Sequence, residues 1–294
     1  MSALSVARAA ALKPLLDAFV ETRPWADRVK ADPVEFPHRY RDPRDIEVVA
    51  LVSASLAYGR ADLFKPKLEW LFGRLGARPA KAVQALTVRD AEALLAGFVY
   101  RFNVPADLAV LLMGIGRALE RHGSLEAHFL AAHAAAGTWQ GALAGFARGL
   151  RAFAPERELV RRLGPTRGVH HLLPSAEAGA AKRLNLYLRW MVRGPDAIDF
   201  GIWKGVSPAR LVMPLDTHVM RLGQWLGLTT RKNLGWRAAE EITASLRRLD
   251  PDDPVRYDFA LCHYGMSGAC PVKPVKTNCR ACPLRSVCRV GRRA

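Results

Sequence analysis

The chain has 294 residues, 50% of them hydrophobic and 24% charged, with a formal net charge of +17. That composition belongs to a folded globular protein with one large core or two modest ones. It excludes a membrane span, which needs an apolar run of about eighteen residues that this chain nowhere approaches.

The predicted elements are helices throughout. The Ala-rich start, with Arg8 and Lys13 ahead of the first acid at Asp17, reads as an amphipathic helix. Apolar residues then recur at three- and four-residue spacing in Val48–Leu56, Ala80–Leu95 and Leu108–Leu119. Proline and glycine mark the breaks, at Pro33 to Pro43, Gly73 to Pro79, Asn103-Val104-Pro105, His122-Gly123-Ser124 and Gly164-Pro165. No stretch alternates at period two, so the fold class is all-α. His128 and His133 are five residues apart and do not share a helix face, which argues against a metal pair.

Between Arg193 and Leu215 the pattern changes. Gly194-Pro195-Asp196, Gly201 and Lys204-Gly205-Val206-Ser207-Pro208 predict a surface connection that crosses between two helical lobes. Trp190, Trp203, Trp225 and Trp236 lie in helical surroundings and read as core or interface anchors.

Charge is concentrated in the second half. Residues 151–294 hold 25 Lys/Arg against 12 Asp/Glu, whereas residues 1–150 hold 19 against 15. Such a basic half points to a polyanionic partner, because neutralising phosphates releases counterions.

Three segments carry chemistry. The turn Leu173-Pro174 to Gly179 feeds a helix predicted over Lys182–Trp190, and a helix start of that kind exposes N–H groups to a phosphate. Lys182 in its first turn is unfavourable for the helix dipole, so a phosphate contact or an amine nucleophile would explain it. Pro214-Leu215-Asp216-Thr217-His218-Val219 reads as a second helix start, with Asp216 as N-cap and a carboxylate held ionised there.

The third segment is the C-terminal cysteine set, Cys270-x8-Cys279-x2-Cys282-x5-Cys288. Two disulfides suit a small secreted domain better than a long core-rich chain. A four-thiolate zinc site usually shows two CxxC knuckles, and only Cys279 to Cys282 forms one. A [4Fe–4S] cluster takes one thiolate per corner and accepts this spacing, with zinc as the alternative. Cys262, in the apolar run Phe259-Ala260-Leu261-Cys262, reads as a buried thiol rather than a fifth ligand. The cysteine usage predicts a reducing cytoplasm.

The order of these segments resembles the helix-hairpin-helix DNA glycosylases of the endonuclease III type, over about residues 170–288. Lys182-Arg183-Leu184-Asn185 is similar to that family's lysine-bearing hairpin helix, and Leu215 to Arg221 to its catalytic-aspartate segment. Cys270 to Cys288 is similar to its cluster loop, preceded by His263-Tyr264-Gly265. A weaker likeness covers Ile46–Trp70, where Val52-Ser53-Ala54-Ser55-Leu56 resembles a helix on the DNA-facing side.

Three departures mark a divergent bacterial branch. The hairpin lacks Leu-Pro-Gly-x-Gly, an insertion around Arg193–Arg210 lengthens the Lys-to-Asp interval, and the first cysteine gap is eight where six is typical. The substrate base is therefore not carried over.

The resemblance implies two helical lobes with a DNA cleft between them. One is a six-helix barrel-like domain over 46–210, with its hairpin around 172–190. The other comprises 1–45 plus 211–294 and carries Asp216 and the cysteine loop. It implies a monomeric, cytoplasmic, nucleoid-associated glycosylase and AP lyase of base excision repair acting on double-stranded DNA, with no membrane partner. The alternative is a non-catalytic iron–sulfur DNA-binding protein on the same fold.

In that scheme Asp216 stabilises the sugar cation or activates the nucleophile, and Lys182 attacks the anomeric carbon, with burial and Arg183 lowering the Lys182 pKa. Cys270, Cys279, Cys282 and Cys288 hold the cluster, while Gly179, Arg183, Lys273, Lys276 and Arg280, with Arg285 and Arg289, meet phosphates. Tyr58, Arg60 and Gln224 are wedge or base-contact candidates.

Overall fold

In the computed structural model, which describes residues 4–293, helix follows helix along the chain. These are α1 Val6–Glu21, α2 Pro43–Leu56, α3 Ala61–Leu75, α4 Pro79–Ala85, α5 Val88–Leu95, α6 Pro105–His122, α7 Leu125–Ala136 and α8 Trp139–Phe153. Then come α9 Glu156–Leu163, α10 Val169–Leu172, α11 Lys182–Val192, α12 Thr217–Leu226, α13 Trp236–Leu246, α14 Asp258–Met266 and α15 Lys276–Ala281. Among the described residues no strand forms, only an isolated bridge between Tyr100 and Asn103. The all-α expectation is met.

The predicted helix over Ala80–Leu95 is two helices. Thr87 interrupts it because its side chain and that of Asp90 cap α5 reciprocally, a capping box stronger than the continuing apolar period.

The chain divides into two units. One comprises Val29–Ala178 and Phe200–Gly205, the other Met1–Arg28, Gly179–Asp199 and Val206–Ala294. This differs from the expected split at residues 45/46 and 210/211. Gly179–Asp199, expected with the barrel-like domain, groups instead with the C-terminal helices. Residues 1–3 and 294 of the expected second lobe lie outside the described residues.

In the unit built on Val29–Ala178, α6 is the packing axis. Proline at its first position and a left-handed Gly123 at its end set its limits. Gly114 and Gly116 let neighbours approach closely. A Cβ at the former would lie 2.1 Å from the Leu150 carbonyl of α8, and at the latter 2.1 Å from the Val83 carbonyl of α4.

Helix α2 is buried from Asp45 to Leu56, so Val52–Leu56 turns no side chain to a partner, contrary to the DNA-facing likeness. Its Glu47 carboxylate, fully buried, accepts from Trp203 Nε1 at 2.7 Å, Arg44 at 3.0 Å and the N–H groups of Leu125 and Glu126 at 3.4 and 3.2 Å. The predicted connection does pass between the units, at Asp199/Phe200 and Gly205/Val206, with Gly194-Pro195-Asp196 and Lys204-Gly205 exposed. Trp203 within it is buried, as expected of an anchor, and its N–H satisfies an acid inside the unit.

In the other unit, α1 contributes Leu12, Leu16 and Phe19 to the core, and α11 contributes Tyr187, Trp190 and Met191. Trp236 is also buried, whereas Trp225 is partly exposed.

Candidate functional site

Helix α11 starts on an unusual turn. Ala181 precedes it with φ 45° and ψ 41°, a left-handed conformation that an alanine adopts at a cost of about 1–2 kcal/mol. Gly179, the residue expected to shape this turn, has an ordinary φ and open space where a Cβ would stand. Asn185 holds the turn: its side-chain amide donates to Ala180 O at 3.0 Å and Ala181 O at 3.4 Å. The Lys-x-x-Asn pattern thus places a clamp one turn beyond the lysine it presents.

Asp216 caps α12 as predicted. Its Oδ1 accepts the N–H groups of His218 and Val219, each at 2.9 Å. Its Oδ2 accepts Lys182 Nζ at 2.8 Å, so folding brings together two residues 34 apart in sequence. A third side chain, absent from the predicted site, joins them: Cys262 Sγ on α14 donates to the same Oδ2 at 3.5 Å. The side chain of Lys182 is 33% exposed and that of Asp216 16%, a recess still reached by solvent.

Charge states follow from this geometry, and one expectation is overturned. Burial acts to lower the Lys182 pKa, but Cys262 and Asp216 outweigh it and hold the ammonium above its usual value. The predicted lowering therefore does not occur. Burial likewise raises the Asp216 carboxyl, and the Lys182 charge and hydrogen bond, with the Val219 N–H, more than reverse it.

A buried ion network lies behind the recess. Arg189, seven residues along α11 from Lys182 and 1% exposed, donates to Asp258 at 2.8 Å and to Asp199 at 3.1 and 3.3 Å. Arg193 also donates to Asp199, and bonds Asp253 at 2.8 and 3.0 Å. Burial acts to lower the Arg189 pKa, but Asp199 and Asp258 more than offset it and keep that guanidinium charged inside the unit. Asp258 sits one turn before Cys262, so α14 joins the network to the site.

The four C-terminal cysteines line one small cavity of about 30 Å³, together with Trp225, Asn278, Arg285 and Gly291 among others. None of the five cysteines forms a disulfide. The Gly291 N–H donates to Cys288 Sγ at 3.2 Å. Arg221 of α12 braces the loop through the carbonyl of Cys270 at 2.7 Å, and Trp225 O accepts the Arg289 N–H at 2.8 Å. Lys273, Lys276, Arg280, Arg285 and Arg289 are all exposed, while Gly179 and Arg183 are partly so.

Among the described residues no group of three or more His, Cys, Asp or Glu side chains is disposed to hold a metal ion as it stands. The four cysteines line the same cavity. As a donor set, four thiolates at one cavity are what a [4Fe–4S] cluster takes, one per iron. Neither Lys182 nor Asp216 lines that cavity.

Tyr58 and Arg60 lie in the other unit. Tyr58 stacks on the exposed Phe102 at 5.6 Å, and Arg60 pairs with Asp62. Gln224 donates to Arg231 O at 2.8 Å.

Residues 32–267 match the family described as Protein of unknown function (DUF2400). The chain belongs to that family. The matched segment contains Lys182, Asp216, Cys262 and the Arg189 network, and ends three residues before Cys270. No curated protein matches the chain.

Proposed function

We propose that this DUF2400 protein is a DNA N-glycosylase with AP lyase activity, acting in base excision repair through Lys182 and Asp216. The observation that carries the reading is the 2.8 Å bond between Lys182 Nζ and Asp216 Oδ2, an amine and a carboxylate meeting in a partly open recess. The net charge of +17 and the exposed basic residues of the cysteine loop suit a phosphate backbone as partner.

The target nucleotide leaves the base stack to reach this recess. Lys182 first gives up a proton, and Asp216 Oδ2, already its partner, accepts it. The amine then adds to C1′ of the sugar. The glycosidic bond breaks, and its electron pair leaves with the base, which takes the proton held on Asp216. Opening of the sugar ring, with one Nζ proton passing to O4′, gives a protonated Schiff base between Nζ and C1′; water then takes a C2′ proton, and the electron pair of that C–H bond expels the 3′ phosphate. Cys270, Cys279, Cys282 and Cys288 would hold a [4Fe–4S] cluster, which when bound supplies a cross-link that fixes the loop.

Borohydride trapping on duplexes carrying an abasic site or a panel of damaged bases tests this reading. Wild type is expected to form a covalent adduct that Lys182→Ala abolishes. No adduct on any duplex sinks the lyase role, and unchanged base release by Asp216→Asn sinks the aspartate assignment.

One observation favours a second reading. Lys182 is held as an ammonium, the form that binds a phosphate rather than attacks a carbon. On that reading the protein is a non-catalytic iron–sulfur DNA-binding protein, and the same assay gives binding without adduct.

A further inference from the structure

Of the five cysteines, four line the C-terminal cavity and Cys262 stands apart from it. It lies on α14, partly exposed, and its S–H faces two acceptors. These are Asp216 Oδ2 at 3.5 Å and, one turn along its own helix, Met266 Sδ at 3.7 Å.

The two oxygens of Asp216 have different partners. Oδ1 is anchored by two backbone N–H groups at the start of α12, which cannot leave without unwinding the helix. Oδ2 is shared by two side chains, Lys182 Nζ and Cys262 Sγ. Lys182 cannot stay on Oδ2 and also reach a substrate carbon. Once Lys182 is on the sugar and the base has taken the proton held on Asp216, a carboxylate oxygen in a mostly buried position is left without its charged donor, and a buried acceptor without a donor is costly. The thiol is then the donor that remains.

We propose that Cys262 is a positioning residue of the Lys182–Asp216 site: its thiol keeps Asp216 Oδ2 bonded and oriented while Lys182 Nζ is on the sugar. It touches no reacting atom and acts through Asp216. This role rests on the proposed lyase function, but the contact beneath it can be measured without DNA.

The first measurement is alkylation of Cys262 by iodoacetamide in full-length protein purified with its metal, followed by peptide mass spectrometry. Asp216→Asn removes a negative neighbour and is expected to speed labelling; Lys182→Met removes a positive one and is expected to slow it. Each unit of change in thiol acidity alters the rate roughly three- to fourfold, because lower nucleophilicity offsets part of the gain in thiolate. Equal rates in wild type and both variants overturn the proposal.

The second is the rate of borohydride-trapped adduct formation on an abasic duplex. Cys262→Ala is expected to slow it several-fold, and Cys262→Ser, which restores a donor to Oδ2, to recover most of the loss. A serine variant as slow as alanine, or an alanine variant as fast as wild type, overturns the positioning role. If wild type forms no adduct while labelling responds to both variants, the lyase reading fails and takes this role with it. An active wild type with unresponsive labelling removes Cys262 alone.

Discussion

Lys182 Nζ and Asp216 Oδ2 share a 2.8 Å hydrogen bond, and each holds the other in its charged form. Stability should follow pH accordingly. Asp216 is depressed, so its contribution is present above the unfolded value of about 3.9 and is lost as pH falls through the folded value. Lys182 is raised, so its contribution is complete below about 10.4 and is lost as pH rises through the folded value. The Tm difference between wild type and Lys182→Met is expected to be largest between those limits and to shrink toward both. A difference that stays flat from acid to alkaline pH means that the pair adds nothing to stability.

The same charge coupling governs the proposed attack. Since the amine is reactive only when neutral, adduct formation by wild type should rise with pH through the alkaline range. In Asp216→Asn one of the two main influences raising the Lys182 pKa is gone, while burial still lowers it. Its trapping profile should move to lower pH even if its maximum falls. Coincident profiles would separate Lys182 reactivity from Asp216.

Arg189 should be the most sensitive position of the buried network. Arg189→Met leaves Asp199 and Asp258, both under 3% exposed, without their shared cation. Removing one partner of a buried ion pair typically costs about 3–5 kcal/mol. Urea denaturation should show a correspondingly lower midpoint, and a loss below 1 kcal/mol, in the range of an exposed pair, contradicts the burial of this network.

Metal content tests the cysteine cavity. Anaerobically purified wild type is expected to contain iron and acid-labile sulfide in equal amounts, and Cys279→Ser to lose most of both. Stoichiometric zinc without sulfide selects the zinc alternative. The Lys182–Asp216 bond does not depend on which is found, because neither residue lines that cavity.

Several site features were legible because their cause is local. Asp216 before an apolar helical run is an N-cap wherever that helix packs, and the start of α11 at Lys182 follows from the turn before it. Ala181 was not legible. Its left-handed φ is the kind of backbone usually given to glycine, and Gly179 two residues earlier drew the expectation instead. Cys262 reads in sequence as a buried thiol because Phe259-Ala260-Leu261 before it are apolar, whereas it is partly exposed. Nothing in that run says that one helix face carries Asp258 and Cys262 toward Lys182.

The sequence by itself determined an all-helical chain, a basic C-terminal half, two helix starts bearing Lys182 and Asp216, and a clustered cysteine set. Each follows from residue type and short-range spacing. The tertiary structure alone decided the partners and the charge: which oxygen of Asp216 meets Lys182, that Cys262 shares it, and that the lysine stays protonated. Those outcomes depend on the net of burial against nearby charge across 34 and 46 residues of chain, and no local pattern encodes that balance.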